Sequence, residues 1–353
     1  MRDQYYNQTL SLLSSLIGLQ SFSKEEDKTG DLLENFLVDR EIPVVRKGNN
    51  VWVKNAHYDR SKPTILLNSH HDTVKPNKGY TKDPYTPEVA DGKLFGLGSN
   101  DAGGALISLL MTFLHYYNQK DLKYNLIWSG TAEEEISGKG GVESILDELG
   151  EISFGIVGEP TGMQMAVAEK GLMVLDCYAK GLSGHAARDL GVNAIYEAIS
   201  DIEWFRNYQF EKVSDYLGPV KMSVTMINAG YQHNVIPDVC HYVVDVRTTD
   251  AYSNQETFEI IDKHTKAEVK ERSFRLSPSW VPKDHILVEA AKALDIKMFG
   301  SPTTSDQALM PFPTIKMGPG LSERSHSADE FIFLDELKEG PIGYIKLLDK
   351  IIL

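Results

Sequence analysis

Strand and helix signals alternate along the first half of the chain, and this feature restricts the fold more than any other. The short run TILLN at 64–68 has an apolar centre, Ile-Leu-Leu, as expected of a buried strand. Around it lie signals for helices at 31–40, 105–117 and 141–149 and for strands at 43–46, 51–54, 124–129 and 154–157. Residues 75–98, rich in Gly, Pro and Asp, are predicted to form a long functional loop. The alternation predicts an α/β layer with a mainly parallel sheet.

The order of strand and helix signals changes near Gly171. Signals then follow for strand 172–180, helix 192–208, strands 221–228 and 239–248, helix 254–265 and strand 268–274. The order βαββαβ is that of a ferredoxin-like module. Helix and strand signals typical of an α/β layer resume at 286–294, 314–317 and 334–351. We therefore expect a discontinuous catalytic domain, residues 1–168 and 282–353, that carries an inserted domain, residues 169–281.

The composition of the chain excludes several classes of binding partner and of structural site. The chain has 36 basic and 50 acidic side chains and a net charge of −14, which argues against nucleic acid and anionic membranes because both need a basic surface. The two cysteines, Cys177 and Cys240, rule out a disulfide framework and a CxxC zinc motif. The N-terminal segment predicts an amphipathic core helix and not a signal peptide, and no apolar run is long enough to span a membrane. A cytoplasmic protein is expected.

Five segments place metal-ligating side chains at strand ends or in turns. They are Ser69-His70-His71-Asp72, Gly98-Ser99-Asn100-Asp101, Thr131-Ala132-Glu133-Glu134-Glu135, Gly158-Glu159-Pro160-Thr161, and Gly318-Pro319-Gly320 followed by Ser325-His326-Ser327-Ala328-Asp329-Glu330. In α/β folds, ligands collect at the carboxyl ends of the strands. Each segment alone is common in surface pairs, solvated acidic runs and ordinary turns. Their combination at strand ends predicts a metal centre.

The order H-x-D, G-x-x-D-x-x-G, E-E, G-E-P-T and GPG…H-S-x-D-E resembles the M20 metallopeptidase and deacylase family. That family includes acetylornithine deacetylase, succinyl-diaminopimelate desuccinylase, aminoacylases and dipeptidases. The resemblance covers nearly the whole chain, because GLSGHAAR and NVIPDVCHYVVDVR are similar to the family's dimerisation domain. The stretch from GPG to HSADEF is most similar to the acetylornithine deacetylase branch.

The resemblance implies two divalent metal ions, zinc or alternatively cobalt or manganese. It gives one ion to His70 and Glu159 and the other to Glu135 and His326, with Asp101 bridging both. Three ligand carboxylates leave such a site net positive, so that it can lower the pKa of a bridging water. The resemblance makes Glu134 the general base.

Two of these assignments have rivals close by in the sequence. Three acids, Glu133 to Glu135, compete for two roles, and the family's pattern makes Glu133 the outer one. His71 is the rival of His70, but only His70 has an acid, Asp72, two residues on to fix its ring.

In the inserted domain the resemblance implies a twofold dimer. His185 would donate to the oxyanion in the neighbouring subunit's site, with Asn234 beside it. Arg247 would bind the substrate carboxylate, for which its planar guanidinium is suited, although a salt bridge with Asp245 or Asp250 is an equal alternative. Gly318 and Gly320 are expected to line the substrate site.

Two departures from the family pattern concern the substrate. Many members have Asp-Met-Lys-Gly where this chain has Asp-Ala-Gly-Gly at 101–104, and many have proline where this chain has Arg188. The expected reaction is hydrolysis of a small N-acyl amino acid, N-acetylornithine in arginine biosynthesis. Alternatives are N-succinyl amino acid or succinyl-diaminopimelate desuccinylation and dipeptidase or aminopeptidase activity. Phosphoester hydrolysis and non-catalytic metal-dependent binding are more distant rivals.

Overall fold

The computed structural model describes residues 2–188 and 190–353. The chain forms two compact units. The first unit comprises Met1–Val167, Val281–Phe299 and Ser305–Leu353, and the second comprises Ala168–Trp280 and Gly300–Thr304. Residues 300–304, which the sequence analysis grouped with the catalytic domain, therefore pack with the second unit.

The described residues form 18 β-strands and eight α-helices. The strands are β1 Val45–Lys47, β2 Asn50–Lys54, β3 Thr64–His70, β4 Glu88–Ala90, β5 Lys93–Phe95, β6 Asn125–Thr131, β7 Phe154–Gly158, β8 Met165–Glu169, β9 Gly171–Lys180, β10 Gly184–His185, β11 Lys221–Ala229, β12 Val235–Ile236, β13 Val239–Thr248, β14 Glu268–Glu271, β15 Ser279–Trp280, β16 Met298–Ser301, β17 Thr314–Met317 and β18 Phe331–Phe333. The α-helices are α1 Arg2–Ile17, α2 Asp27–Val38, α3 Gly104–Tyr116, α4 Leu146–Leu149, α5 Ala194–Asn207, α6 Asn254–His264, α7 Ile286–Ala293 and α8 Leu334–Ile352. None of these described helices is both long enough and apolar enough to cross a membrane.

The large sheet of the first unit has the strand order β1-β2-β6-β3-β7-β17-β8. Its centre is parallel, because β3 pairs in parallel with both β6 and β7, and β17 pairs in parallel with β7. The predicted α/β class with a mainly parallel central sheet is confirmed. Parallel pairing brings the carboxyl ends of these four strands to one edge of the sheet, where His70 stands opposite Thr131.

Helix α3 forms the centre of the first unit's core. Its sequence GALISLLMTFLHY is apolar on all sides, as expected of a helix covered by other elements, and Leu106, Leu109 and Phe113 have no exposed surface. Helices α1 and α8 pack against α3. The Gly-rich start of α3 therefore lies in a closely packed region, immediately after the turn that carries Asp101.

The second unit has a four-stranded antiparallel sheet in the order β11-β13-β9-β14. Together with α5 and α6 it shows the predicted βαββαβ succession. In β9 every second residue is buried, and these residues include Met173, Leu175 and Cys177. Buried side chains of β13 such as Tyr242 complete the same apolar cluster. Period-two burial over this length fits a sheet with one covered face.

Two expectations about local structure were wrong. Residues 75–98 do not form a single long loop, since β4 and β5 form a hairpin that also pairs with β18. The turn of this hairpin is Asp91-Gly92, with φ values of 51° and 72°. Asp-Gly is a strong hairpin signal because this turn type needs positive φ at both residues. The predicted helix at 141–149 instead divides into a 3-10 turn, Val142–Ser144, and the short α4.

Candidate metal centre

Four of the candidate side chains lie where parallel strands of the first unit end. His70 is the last residue of β3, Glu159 follows β7, and Glu134 and Glu135 lie three and four residues after the end of β6. The Glu pair begins a 3-10 turn, Glu134–Ile136. Because the ends of β3, β6 and β7 lie side by side, these acids and the imidazole meet at one edge of the sheet.

Asp101 does not follow a strand of the parallel sheet but lies in the turn before α3. It lies in the turn Ser99–Gly103, which joins Gly98 to α3 and in which Asp101 has non-helical dihedral angles. One carboxylate oxygen of Asp101 is 3.5 Å from Nε2 of His70, and the other is 3.6 Å from Nε2 of His326. Asp101 therefore lies between the two histidines and presents one oxygen to each.

The five candidate ligands form two groups that share Asp101. The first group is His70, Asp101 and Glu159, and the second is Asp101, Glu135 and His326. Within each group the ligand atoms lie within 4.8 Å of one another. Nε2 of His70 is 3.7 Å from Glu159 Oε1, and Nε2 of His326 is 3.0 Å from Glu135 Oε2. The arrangement is that of two adjoining cation sites with a common carboxylate.

Asp72 connects two of the ligand-bearing segments. Its backbone oxygen is 3.0 Å from His70 Nδ1, and its carboxylate is 3.3 Å from the same atom. The two carboxylate oxygens also accept hydrogen bonds from the backbone N–H groups of Glu134 and Glu135, each at 3.1 Å. Asp72 thus turns Nε2 of His70 toward the cluster and fixes the Glu turn as well.

The charges in the cluster shift several pKa values. Burial alone would lower the pKa of His70, but the carboxylates of Glu134 and Asp101 hold it well above its ordinary value. The hydrogen bond with Glu135 raises the pKa of His326 to about 9. Burial raises the pKa of Glu134 well above its ordinary value, and nearby carboxylates add to the effect. The site is a concentration of negative charge that favours any bound cation.

The structure separates the rivals from the cluster. The carboxylate of Glu133 accepts a hydrogen bond from Gly140 N–H at 3.3 Å, so it is used in the local loop. His71 is held between the Thr29 hydroxyl, at 2.8 Å from Nδ1, and the Asn49 backbone oxygen, at 2.9 Å from Nε2. Burial lowers the pKa of His71 to about 4. This geometry supports the chosen register, with Glu134 and Glu135 inside.

The remaining candidates divide between the units. In the second unit, His185 on β10 and Asn234 are neighbours in a small ribbon, where Ala186 N–H donates to the backbone oxygen of Asn234 at 3.0 Å. Arg247 on β13 makes a two-pronged ion pair with Asp245, at 2.8 and 3.1 Å. The alternative salt-bridge partner Asp245 is therefore the one seen in this structure.

Gly318 and Gly320 are required by close packing beside the cluster. A Cβ atom on Gly318 would lie 2.5 Å from the backbone oxygen of Glu159. Gly320 has a φ of 87°, and a Cβ atom there would lie 2.4 Å from the side-chain oxygen of Asn100. Both glycines let the chain after β17 approach ligand-bearing turns. This packing is independent of the substrate contact that we expected from them.

One buried acid near the cluster was missed by the sequence analysis. Asp306 is 3% exposed and accepts hydrogen bonds from Asn68 and Thr131, each at 2.8 Å. Burial raises the pKa of Asp306 to about 6. Its segment, TTSDQAL, has no regular periodicity, and a lone acid in such a stretch gives no recognisable signal.

The residues present fit divalent cations. Nε2 of His70 is buried and has no hydrogen-bond partner among the described residues, although carboxylates of three acids surround it. A buried imidazole nitrogen in such surroundings is a ready metal ligand. Nitrogen and carboxylate donors are typical of zinc, manganese and cobalt sites.

Comparison with known proteins places the chain among metallohydrolases. Residues 66–350 match Peptidase family M20/M25/M40. The chain is 30% identical to an acetylornithine deacetylase of Proteus mirabilis strain HI4320, over 78% of this chain and 77% of that protein. It is 24% identical to a succinyl-diaminopimelate desuccinylase of Ruegeria sp. strain TM1040, over 75% and 71% of the two chains.

Solved structures share the fold. Aminopeptidase PepT from Bacillus cereus aligns with a TM-score of 0.77 at 18% identity, covering 99% of this chain and 98% of that one. The YXEP protein of Bacillus subtilis, described as a dinuclear metal binding peptidase, aligns with a TM-score of 0.75 at 18% identity, covering 98% and 97%. The family match over most of the sequence identifies the chain as a metallohydrolase that belongs to peptidase family M20/M25/M40.

Proposed function

We propose that this enzyme hydrolyses the amide bond of a small N-acyl amino acid, with N-acetylornithine as its substrate and arginine biosynthesis as its cytoplasmic pathway. The observation that carries the proposal is Asp101, which presents one oxygen to His70 and the other to His326. A shared carboxylate between two ligand groups suits a two-metal hydrolase. The similarity to an acetylornithine deacetylase supports the choice of substrate.

His70 and Glu159 would hold one divalent ion, Glu135 and His326 the other, and Asp101 both. We propose zinc, with cobalt and manganese as alternatives, because one imidazole and carboxylates serve each site. When bound, such ions act as Lewis acids that polarise the acyl carbonyl and increase the acidity of water. The imidazole of His70 must be neutral to serve as a ligand, and the contact of Nδ1 with Asp72 leaves Nε2 free for that role.

Glu134 is the proposed general base. Its side chain is 12% exposed, and its Oε2 is 3.8 Å from Nε2 of His70, so the carboxylate faces the same cluster. The Glu134 carboxylate would accept a proton from the attacking water and deliver it to the leaving amine nitrogen.

Three residues of the second unit complete the proposed chemistry through the family resemblance. His185 of one subunit would donate a hydrogen bond to the oxyanion formed in the other subunit's site, with Asn234 beside it. Arg247 would bind the substrate carboxylate, and its guanidinium would then exchange Asp245 for the substrate. These roles require a twofold homodimer.

The second unit has a surface suited to such a dimer. Strand β11 is at the edge of the four-stranded sheet, and its residues Met226 and Ile227 are more than half exposed. Tyr196 and Ile199 on the adjacent α5 are also exposed. An edge strand with exposed apolar side chains is a natural pairing surface for a second copy.

Arg188 bears on the choice of acyl group. It is exposed, and its backbone N–H donates to the backbone oxygen of His185 at 2.8 Å. A cation in the place of proline could favour a dicarboxylic acyl group such as succinyl, as the similarity to a desuccinylase also suggests. In Arg188→Ala, a selective loss of kcat/KM on N-succinyl substrates would support this idea. Equal losses on both acyl types, or none, would remove it.

A substrate panel tests the proposed function. The purified enzyme, freed of metal by chelation and then restored with zinc, is given N-acetylornithine, N-succinyl-diaminopimelate, a dipeptide, a tripeptide and a phosphomonoester. We expect activity only after zinc is restored and the highest kcat/KM on N-acetylornithine. A preference for the succinyl compound or for a peptide would reassign the substrate within the family. Phosphomonoester turnover alone, or metal uptake without any turnover, would contradict the proposal.

A further inference from the structure

Glu330 has no part in the proposed chemistry, yet it is one of the most deeply buried acids in the first unit. Only 1% of the surface of Glu330 is exposed to solvent. It closes the segment Ser325–Glu330, four residues after the candidate ligand His326. A buried carboxylate is costly unless hydrogen bonds compensate it, so its partners indicate its role.

Among the described residues, the hydrogen-bond donors to the Glu330 carboxylate are backbone N–H groups at or directly before the turn that carries Asp101. Oε1 accepts from the backbone N–H groups of Asn100 at 2.8 Å and Asp101 at 2.9 Å, and Oε2 accepts from Gly98 N–H at 3.1 Å. The backbone oxygen of Glu330 also accepts from Gly96 N–H at 2.9 Å. One residue thus holds the path of the chain from 96 to 101.

This contact joins two ligand-bearing segments. Glu330 and Asp101 are 229 residues apart in the sequence, whereas Glu330 and His326 belong to one short segment. The turn at Asp101 has non-helical dihedral angles, so regular helical hydrogen bonds do not determine its course. The Glu330 carboxylate supplies the acceptors that a regular element would otherwise provide.

The neighbouring acid, Asp329, makes a similar contact in a place without ligands. Its carboxylate accepts from Thr81 N–H at 2.8 Å, the Thr81 hydroxyl at 2.6 Å and Lys82 N–H at 2.9 Å. Asp329 is partly exposed, and the segment it holds carries no candidate ligand. The two acids therefore differ in which backbone they fix, and that difference provides a matched control.

We propose that Glu330 is a positioning residue for the metal centre, whose buried carboxylate holds the backbone of the Asp101 turn so that one Asp101 oxygen faces His70 and the other faces His326. The inference rests on the proposed function, because it takes Asp101 to be a shared metal ligand. Partners that orient metal ligands typically change metal affinity about 10–100-fold when they are altered.

Two substitutions remove the contact in different ways. Glu330→Gln keeps the shape but turns an amide N–H2 group toward at least one backbone N–H. Glu330→Asp keeps the charge but shortens the side chain by one methylene, so that it cannot reach all of the donors. Asp329→Asn is the control, since it weakens a comparable set of hydrogen bonds, those from Thr81 and Lys82, at the adjacent residue. Circular dichroism and thermal unfolding of the metal-free proteins establish that each variant folds.

The measurement is titration of metal-free protein with Zn²⁺ in the presence of a competing chelator, together with the visible spectrum of the Co²⁺-loaded form. We expect both Glu330 variants to bind at least one of two zinc equivalents about 10–100-fold more weakly and to change the cobalt spectrum. Asp329→Asn should match the wild type in both.

The outcomes separate this inference from the proposed function. If the wild type takes up two equivalents and both Glu330 variants match it, only the inference is overturned. The same holds if Asp329→Asn loses as much affinity as the Glu330 variants, or if neither Glu330 variant folds, because Glu330 would then be a general structural residue. A wild-type protein that takes up no second equivalent would overturn the proposed centre and this inference together.

Discussion

The two units differ in where they gather ionisable side chains. The first unit buries several at the carboxyl ends of its parallel strands, and His70, Asp72 and Asp306 are each 3% exposed or less. The second unit buries an apolar cluster under one face of its sheet and leaves an ion pair such as Asp176 and Arg272 on the other. Burying charge costs stability unless it is compensated, so an enzyme retains it where it serves chemistry. The contrast predicts that changes in the first unit alter activity and metal binding, whereas core changes in the second alter stability.

The strongest test of this contrast is Glu134→Gln in the first unit. Removing the proposed base should lower kcat by about 10²–10⁴-fold while both metal equivalents remain bound. Glu135→Gln should also weaken one equivalent, because Glu135 lies 3.0 Å from His326 in the second ligand group. Steady-state kinetics and metal analysis of the two variants provide the comparison. An exchange of their phenotypes would move the register of the acidic triplet by one residue.

A mixed dimer tests the role in catalysis that we propose for His185 of the second unit. His185→Ala and Glu134→Ala homodimers should each be nearly inactive. After random subunit exchange at equal amounts, half of the dimers are mixed and each contains one intact site. About a quarter of wild-type activity should therefore return. Demonstrated exchange without recovered activity would show that His185 does not serve the neighbouring subunit's site.

Stability should respond to Asp201, a buried acid in the second unit. Its carboxylate accepts from the Tyr242 hydroxyl at 3.2 Å and from the backbone N–H groups of Lys266 and Ala267. Asp201→Ala leaves these donors unsatisfied and should destabilise the fold by about 3 kcal/mol, since each such group costs about 1–3 kcal/mol. Zinc affinity should stay unchanged. The exposed Asp262→Ala serves as the control in urea unfolding and should remain within about 0.5 kcal/mol of the wild type.

The smallest effect concerns the surface pair of the second unit. The Arg272 guanidinium and the His241 ring lower the pKa of Asp176 to about 2. Because this pKa is below that of the unfolded chain, the contribution to stability is complete above pH of about 4 and is lost as pH falls toward 2. The effect should be less than about 1 kcal/mol, because the Arg272 side chain is largely exposed.

The variant Asp176→Asn tests the direction of this pH dependence of stability. Its unfolding midpoint should lie slightly below that of the wild type at pH 7, and the difference should shrink at pH 3, where the wild-type pair is also being lost. A difference that is equal at both pH values would mean that the charge of Asp176 is irrelevant and that only its shape matters.

Regular periodicity made much of the fold predictable. Strands β13 and β17 have the predicted bounds, since apolar residues at period two or in short runs leave few other structures open. The hairpin β4–β5 was missed although its Asp-Gly turn was a usable signal. Short pieces such as β10 and β12 are held by pairing between distant residues, and their sequences carry no period of their own.

The sequence by itself determined the α/β order, the interruption by a βαββαβ segment, and the positions of the candidate ligands at strand ends and turns. These follow from local chemistry: side-chain periodicity sets the elements, and parallel strands bring their carboxyl ends together. The sequence also named Asp72 as the partner of the His70 ring, but only the tertiary structure revealed the long-range contacts that hold the ligand-bearing turns. Three hydrogen-bonded contacts are examples: Asp72 with the Glu134 turn, Asp306 with Asn68 of β3, and Glu330 with the Asp101 turn. The partners in these contacts are 62 to 238 residues apart in the sequence. A buried carboxylate takes whichever donors the packing brings to it, and no local pattern records that choice.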